Sequence, residues 1–166
     1  MNVKNLFREV QYPIELYDKD VKQIYYENSI GYWWKKEYNE QGLVVYFENS
    51  KGSWWKKEYN EQGLVVYFEN SEGSWRKSEY NDKGLVIYYE DSNGYWWKKE
   101  YNDKGLVIYC EDSNGFWYKR EYNDKGLEVY YENSIGDTED NRPIPTKELT
   151  VQEIEEMLGY SVRIVK

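Results

Sequence analysis

A 21-residue unit repeats without interruption from Gly31 to Ile135, with copies beginning at Gly31, Gly52, Gly73, Gly94 and Gly115. The first two copies read GYWWKKEYNEQGLVVYFENSK and GSWWKKEYNEQGLVVYFENSE, differing only at Tyr32/Ser53 and Lys51/Glu72. A period this short is one supersecondary unit stacked on its own kind. Within a copy, two stretches rich in Tyr, Trp, Val, Phe and Ile suit a pleated surface. They run from Tyr32 to Tyr38 and from Leu43 to Glu48 in the first copy. The turns between them, Asn39 to Gly42 and Asn49 to Gly52, carry Asn at the start and Gly three residues later, which fits a type I turn with Gly in the left-handed conformation. Such short connections require antiparallel neighbours, because a parallel crossover needs about a dozen residues or more. The repeat therefore predicts an up-and-down meander of about a dozen strands.

The odd length of the unit adds a constraint. Side chains alternate faces along a strand, so a meander whose turns both kept residue parity would flip every Trp between copies. One turn or a bulge must shift parity once per copy. Positions 2, 4, 6 and 14 vary most in polarity among the copies: Tyr32/Ser53, Trp34/Arg76, Lys36/Ser78 and Val44/Glu128. They share a face if the Asn-Ser-x-Gly turn is the one that shifts. The opposite face, expected to be the more buried and concave one, then holds Trp33, Lys35, Glu37, Leu43, Val45 and Phe47, with cross-strand charge ladders built from Lys35 and Glu37, and the variable face carries Trp34, Tyr38, Tyr46 and Glu48. Rings on both faces, together with strand twist, predict a coiled or superhelical sheet rather than a flat one. Binding is expected on the variable face, at Tyr32, Trp34, Lys36, Trp55, Lys57, Arg76, Tyr95, Trp97, Lys99, Tyr118 and Arg120.

The flanks fall into three pieces. Residues 1–16 read as a lead-in and cap, with Val3, Leu6, Phe7 and Val10 at helical spacing. The array proper spans residues 17–135, beginning with a degenerate copy over Tyr17 to Ile30 in which Val21 stands for Gly42. Residues 136–148 form a polar, Pro-containing linker. Residues 149–166 give a helix and a short strand that cap the sheet: Thr150 and Glu153 make a capping box, Gly159 stops the helix, and Tyr160, Val162 and Ile164 alternate. The fold class is mostly β, a single antiparallel sheet with a helix-strand cap.

Composition narrows the chemistry. The chain holds 20 Tyr, 8 Trp, one Cys and no His, with a net charge of -9. Without His there is no Ser-His-Asp or Cys-His centre, and a transition-metal site has poor ligands. Cys110 stands where other copies carry Phe47, Phe68, Tyr89 and Tyr131, and reads as a small filler rather than a reactive thiol. Carboxylates such as Glu37 and Glu48 recur in every copy beside lysines, unlike the one special pair of a glycosidase. The Asp91 to Gly94 and Asp112 to Gly115 turns lack the alternating acids of a calcium loop. No enzyme activity and no cofactor are expected. No run of about 18 apolar residues predicts a membrane span. Met1 to Val10 lacks an apolar stretch and cleavage site, which points to the cytoplasm. Each Lys or Arg has acidic neighbours in sequence, so direct nucleic-acid binding is not expected.

Tyr80 to Leu85, reading Tyr-Asn-Asp-Lys-Gly-Leu, resembles the YD (RHS-type) repeat, whose core is Tyr-Asp-x-x-Gly, with Asn here in place of the family Asp. The text IYYEDSNGYWWK also resembles MORN-related repeats of small bacterial proteins, and cell-wall-binding aromatic hairpins are a third likeness. These resemblances cover residues 17 to 136 and imply a hairpin-repeat scaffold without implying an activity. The tail from Leu149 to Lys166 is similar to tails of small phage and prophage proteins. Its LTVQEIEEMLGYS also resembles the first half of a helix-turn-helix, but Val162 to Lys166 is too short for a recognition helix. The tail's likeness, the acidity and the missing catalytic groups give the leading expectation: a phage or mobile-element protein that binds and inhibits a bacterial, defence-system protein. Two alternatives stand beside it. One is a carbohydrate-binding module in which Trp34, Trp55 and Trp97 stack on sugars. The other is a structural repeat protein that self-associates through its sheet edges.

Overall fold

The computed structural model describes residues 11–144 and 148–163. Among the described residues thirteen strands form one antiparallel sheet whose spatial order is the chain order and which does not close on itself. They are β1 Ile14–Tyr17, β2 Gln23–Glu27, β3 Trp33–Tyr38, β4 Val44–Asn49, β5 Trp54–Tyr59, β6 Val65–Asn70 and β7 Trp75–Tyr80. The series continues with β8 Val86–Asp91, β9 Trp96–Tyr101, β10 Val107–Asp112, β11 Trp117–Tyr122, β12 Glu128–Asn133 and β13 Thr138–Asp140. The meander expected from the repeat is present. The lead-in expected over residues 1–10 lies outside the described residues.

Both turns close as their Asn and Gly require. In the first, the Gly42 amide donates to the Asn39 carbonyl and the Leu43 amide to the Asn39 side chain. In the second, the Gly52 amide donates to the Asn49 carbonyl, with Gly52 at φ +81°. That left-handed value suits a residue without a Cβ. Ser50 then ties the far end of the hairpin: its amide donates to the Trp33 carbonyl and its hydroxyl accepts from the Trp33 amide.

The parity shift occurs once per copy, as a bulge. Opposite Glu37 and Tyr38 stand Tyr46 and Val44, leaving Val45 without a partner. The same irregularity recurs at Glu58/Tyr59, Glu79/Tyr80, Val107/Tyr109 and Glu121/Tyr122. It sits beside the Asn-Glu-Gln-Gly turn, so the expectation that the Asn-Ser-x-Gly turn shifts parity is corrected. Across that latter turn Tyr46 faces Lys56 and Glu48 faces Trp54, with parity kept. The faces change accordingly. Phe47 pairs with Lys36 and Trp55, and so leaves the Trp33 face for the Trp34 face. Tyr46 and Glu48 move the other way, joining Lys35 and Glu37. The variable positions 2, 4, 6 and 14 do share a face, but because the bulge returns Val44 to the side of Tyr38.

The bulge is supported across copies. The Tyr59 hydroxyl donates to the Val44 carbonyl of the preceding copy at 2.9 Å, and Tyr80, Tyr101 and Tyr122 do the same for Val65, Val86 and Val107. A carbonyl at the irregular end of the ladder thereby keeps a donor. The turns are stitched as well. Gln41 and Gln62 donate to the Glu61 and Asp82 carbonyls of the next copies, and the Lys83 and Lys104 ammonium groups reach those of Asp103 and Asp124. Leu43 lies under Gly63, and each later Leu lies under the next turn glycine. Leu127 has no full copy beyond it and is 62% exposed.

The array is longer than the repeat suggests. Ile14 faces Glu27 as Lys35 faces Glu48, so β1 extends the degenerate copy back to position 5, into the stretch read as a lead-in. At the other end Asn133 to Gly136 forms the same turn and β13 pairs with β12, so a truncated copy occupies the stretch read as a linker. That edge strand is short, exposed and acidic, which discourages further pairing.

Among the described residues no second layer packs on this sheet. The buried hydrophobic ones among them are Ile14 and Tyr25, and Glu27 and Asn133 are buried polar ones, while the side chains of the full copies are mostly half-buried. Stability is thus a sum of neighbour contacts along the array, as in a solenoid. The helix α1, Val151–Leu158, forms with the expected capping box at Thr150 and Glu153 and with Gly159 left-handed at its end. It contacts no strand of the described residues and buries none of its own, so it does not cap the sheet. No strand forms over Tyr160 to Arg163, and Ile164 lies outside the described residues.

Candidate functional site

The bulge separates the residues of each copy into two chemically different surfaces. On the Trp33 face the side chains form a charge ladder. Lys35 reaches Glu48 at 2.7 Å, Lys56 reaches Glu69 at 3.0 Å, and Lys98–Glu111 and Lys119–Glu132 repeat the pair. The ladder thus joins positions 5 and 18, in place of the expected positions 5 and 7. Tyr46 and Tyr67 donate to the same carboxylates. The Lys35 ammonium bonded to Glu48 holds that carboxyl below the ordinary glutamate value, and Lys56 does the same to Glu69. The second acid of each copy, Glu37, Glu58, Glu79 and Glu100, has no ion pair among the described residues and is exposed. This face carries two glutamates for each lysine.

The Trp34 face is built from rings and cations. Tyr26 stacks on Trp34, Phe47 on Trp55 and Tyr89 on Trp97, with centroids 5.8–6.0 Å apart and planes within 16°. The ammonium groups of Lys36, Lys57 and Lys99 lie 4.3, 4.5 and 4.2 Å from the centroids of Trp34, Trp55 and Trp97. Arg76 lies over Phe68, and Arg120 over Tyr118. Each such contact contributes about 0.5–1 kcal/mol at an exposed site. In the first two full copies this face carries no strand carboxylate. Further along, Asp91 and Asp112 cap turns with their Oδ1 atoms, and Glu128 pairs with Arg120.

The nine strand residues expected to bind (Trp34, Lys36, Trp55, Lys57, Arg76, Trp97, Lys99, Tyr118 and Arg120) are brought together on this one face. Tyr32 and Tyr95 precede β3 and β9 at position 2, whose counterpart Phe116 contacts Tyr118. The variable face is also the more covered one: positions 6 and 8, such as Lys57 and Tyr59, are half-buried, whereas Lys56 and Glu58 opposite are exposed. Covering of the Trp33 face is corrected on that ground. Burial pushes the Tyr118 phenol up to about 12 and raises that of Tyr101. Burial likewise raises the Cys110 thiol, which fits its place as a filler opposite Tyr118.

The position-17 residues were missed as members of this face: Tyr26, Phe47, Phe68, Tyr89, Cys110 and Tyr131. A signal for them existed. Position 17 varies among Phe, Tyr and Cys, whereas position 16 is always Tyr and position 18 always Glu. Constancy already groups positions 16 and 18 with Trp33, Lys35 and Glu37.

No group of three metal-ligating side chains occurs among the described residues, and no described helix is long and apolar enough to cross a membrane.

No family model matches the chain, and no curated protein does so either. Among solved structures, the chain is similar to TcdB2-TccC3 without its hypervariable C-terminal region, with a TM-score of 0.53 and 10% identity over 75% of this chain and 8% of that one. The Photorhabdus luminescens Tc holotoxin pore, with the TccC3-D651A mutation, matches 62% of this chain at a TM-score of 0.46 and 15% identity. The chain spans less than a tenth of the length of either. At these identities the first likeness bears on fold alone: a run of antiparallel hairpins, the scaffold that the YD resemblance implies.

Proposed function

We propose that this chain is a non-enzymatic binding module that holds a protein partner against the Trp34 face. One observation carries the reading. On a single-layer sheet, half-buried rings and a row of cations without carboxylate partners, clearest at Lys36 and Lys57, occupy one face over successive copies. Aromatic and cationic groups at regular spacing, already ordered by a rigid scaffold, lose little entropy on binding. Sugar stacking is less well served. The indoles of Trp34, Trp55 and Trp97 already carry a neighbouring ring and an ammonium group against their π-systems. The likeness of the tail to phage and prophage tails leads us to place the partner among bacterial cytoplasmic proteins, with inhibition of a defence protein as the consequence of binding.

The test compares the intact chain with a Trp55→Ala/Lys57→Glu variant and with a Trp33-face control, Glu58→Gln. Partners captured from bacterial lysate are purified and the complexes rebuilt from the two components. The reading expects the first variant to lose tenfold or more in affinity and the control to bind as the parent does. Equal binding by all three, or no rebuilt complex, overturns it.

A further inference from the structure

The two faces of the sheet differ in charge but share one period, and we propose that the Trp34 face of one molecule docks on the Trp33 face of a second copy of the same chain. This goes beyond the partner reading above, since it requires nothing but the chain itself. Mid-strand cations at position 6 or 4 (Lys36, Lys57, Arg76, Lys99 and Arg120) run along one face. Position-7 acids run along the other, and Glu37, Glu58, Glu79 and Glu100 of these have no ion pair among the described residues. Both rows advance by two strands per copy, about 9.6 Å at the usual strand spacing.

A simple translation along the sheet normal brings the two rows into register. Residue 36 of one molecule then lies over residues 35 and 37 of the next, and the shared period carries the match into the adjoining copy, residue 57 over residues 56 and 58, before strand twist turns the faces apart. Two sheets of like twist related by translation keep the spacing of about 10 Å found in stacked sheets over neighbouring strands, where the normal still lies near the translation, so the contact is centred on one or two copies. The half-buried rings on both faces supply the apolar part of the contact, and no second layer among the described residues covers them. The contact is heterologous, so it leaves a free Trp34 face at one end of every stack and a free Trp33 face at the other.

Sedimentation of the purified full chain tests this, with circular dichroism to confirm folding of each variant. The parent should exceed its monomer mass of 20.3 kDa as concentration rises at low salt, and return to it in 1 M salt by charge screening, on the order of a 3 Å Debye length. Lys36→Glu/Lys57→Glu and Glu37→Lys/Glu58→Lys should each sediment as monomers where the parent associates. Mixed together they should associate again, because the reversed faces now complement one another. A monomeric parent at low salt overturns the proposal. So does association of both variants like the parent, which marks pairing through sheet edges, or a mixture that stays monomeric. Partner capture is measured separately on the parent chain, so either reading can fail without the other.

Discussion

Lys98 and Glu111 face one another across β9 and β10 with 3.7 Å between charged atoms, while Lys99, the next residue, lies 4.2 Å from the Trp97 ring centroid on the opposite side. Both lysines lie over a ring of their own face, Lys98 at 5.3 Å from the Trp96 centroid, but of the two it is Lys98 that closes a charge ladder with a carboxylate. The bulge decides which of them does so, because it fixes the residue that each second-strand side chain meets. Without it, an odd repeat could not give every copy the same two surfaces.

If the tyrosine at position 8 supports the irregular end of the ladder, deleting its hydroxyl should be felt. Tyr59→Phe should destabilise the chain by about 1 kcal/mol, the net value of a hydrogen bond whose acceptor becomes unsatisfied. Urea unfolding of the variant measures it. Tyr32→Phe, outside this set of contacts, serves as the comparison and should shift the midpoint little.

Val21 holds φ +63° where the later copies have glycine, and is the one described non-glycine residue with positive φ. A β-branched side chain is poorly tolerated there. Val21→Gly should raise stability by about 1 kcal/mol by removing that strain. A higher thermal midpoint checks it, and an unchanged or lower one means that Val21, at 78% exposure, costs the fold nothing.

The charge ladder predicts an acid limb. Glu48 and Glu69 have folded pKa values lowered first of all by hydrogen bonds from Lys35 and Lys56. Their contribution is present above the unfolded value and is lost as pH falls through the lowered folded values, below 4.5. Denaturation midpoints should stay level near neutrality and fall on acidification past that point. In Glu48→Gln/Glu69→Gln the fall should be shallower, and added salt should narrow the difference, since these pairs are exposed.

Much of this was legible in the sequence because the repeat states it many times over. The strands, the Asn/Gly turns, the need for one parity shift per copy and the Thr150/Glu153 cap of α1 all follow from local chemistry. The site of the shift did not. The two turns look alike, and the bulged pair Val44 and Val45 carries no glycine or other marker, so its position depends on backbone pairing alone. Variation among the copies selects the observed faces once Phe47, Phe68 and Cys110 are counted beside positions 2, 4, 6 and 14. The ends were obscured by substitution: Ile14 stands where Lys belongs, and Thr138 to Asp140 pairs without the Trp-Trp text of a full copy.

The division into two faces is tested most directly by zero-length carbodiimide coupling of amines to carboxylates, read residue by residue by mass spectrometry in the fourth full copy, whose peptide is unique. The structure predicts an amide between Lys98 and Glu111, with Lys99 uncoupled to that carboxylate. Coupling of Lys99 to Glu111 in place of Lys98 would contradict the bulge, the two faces and everything built on them.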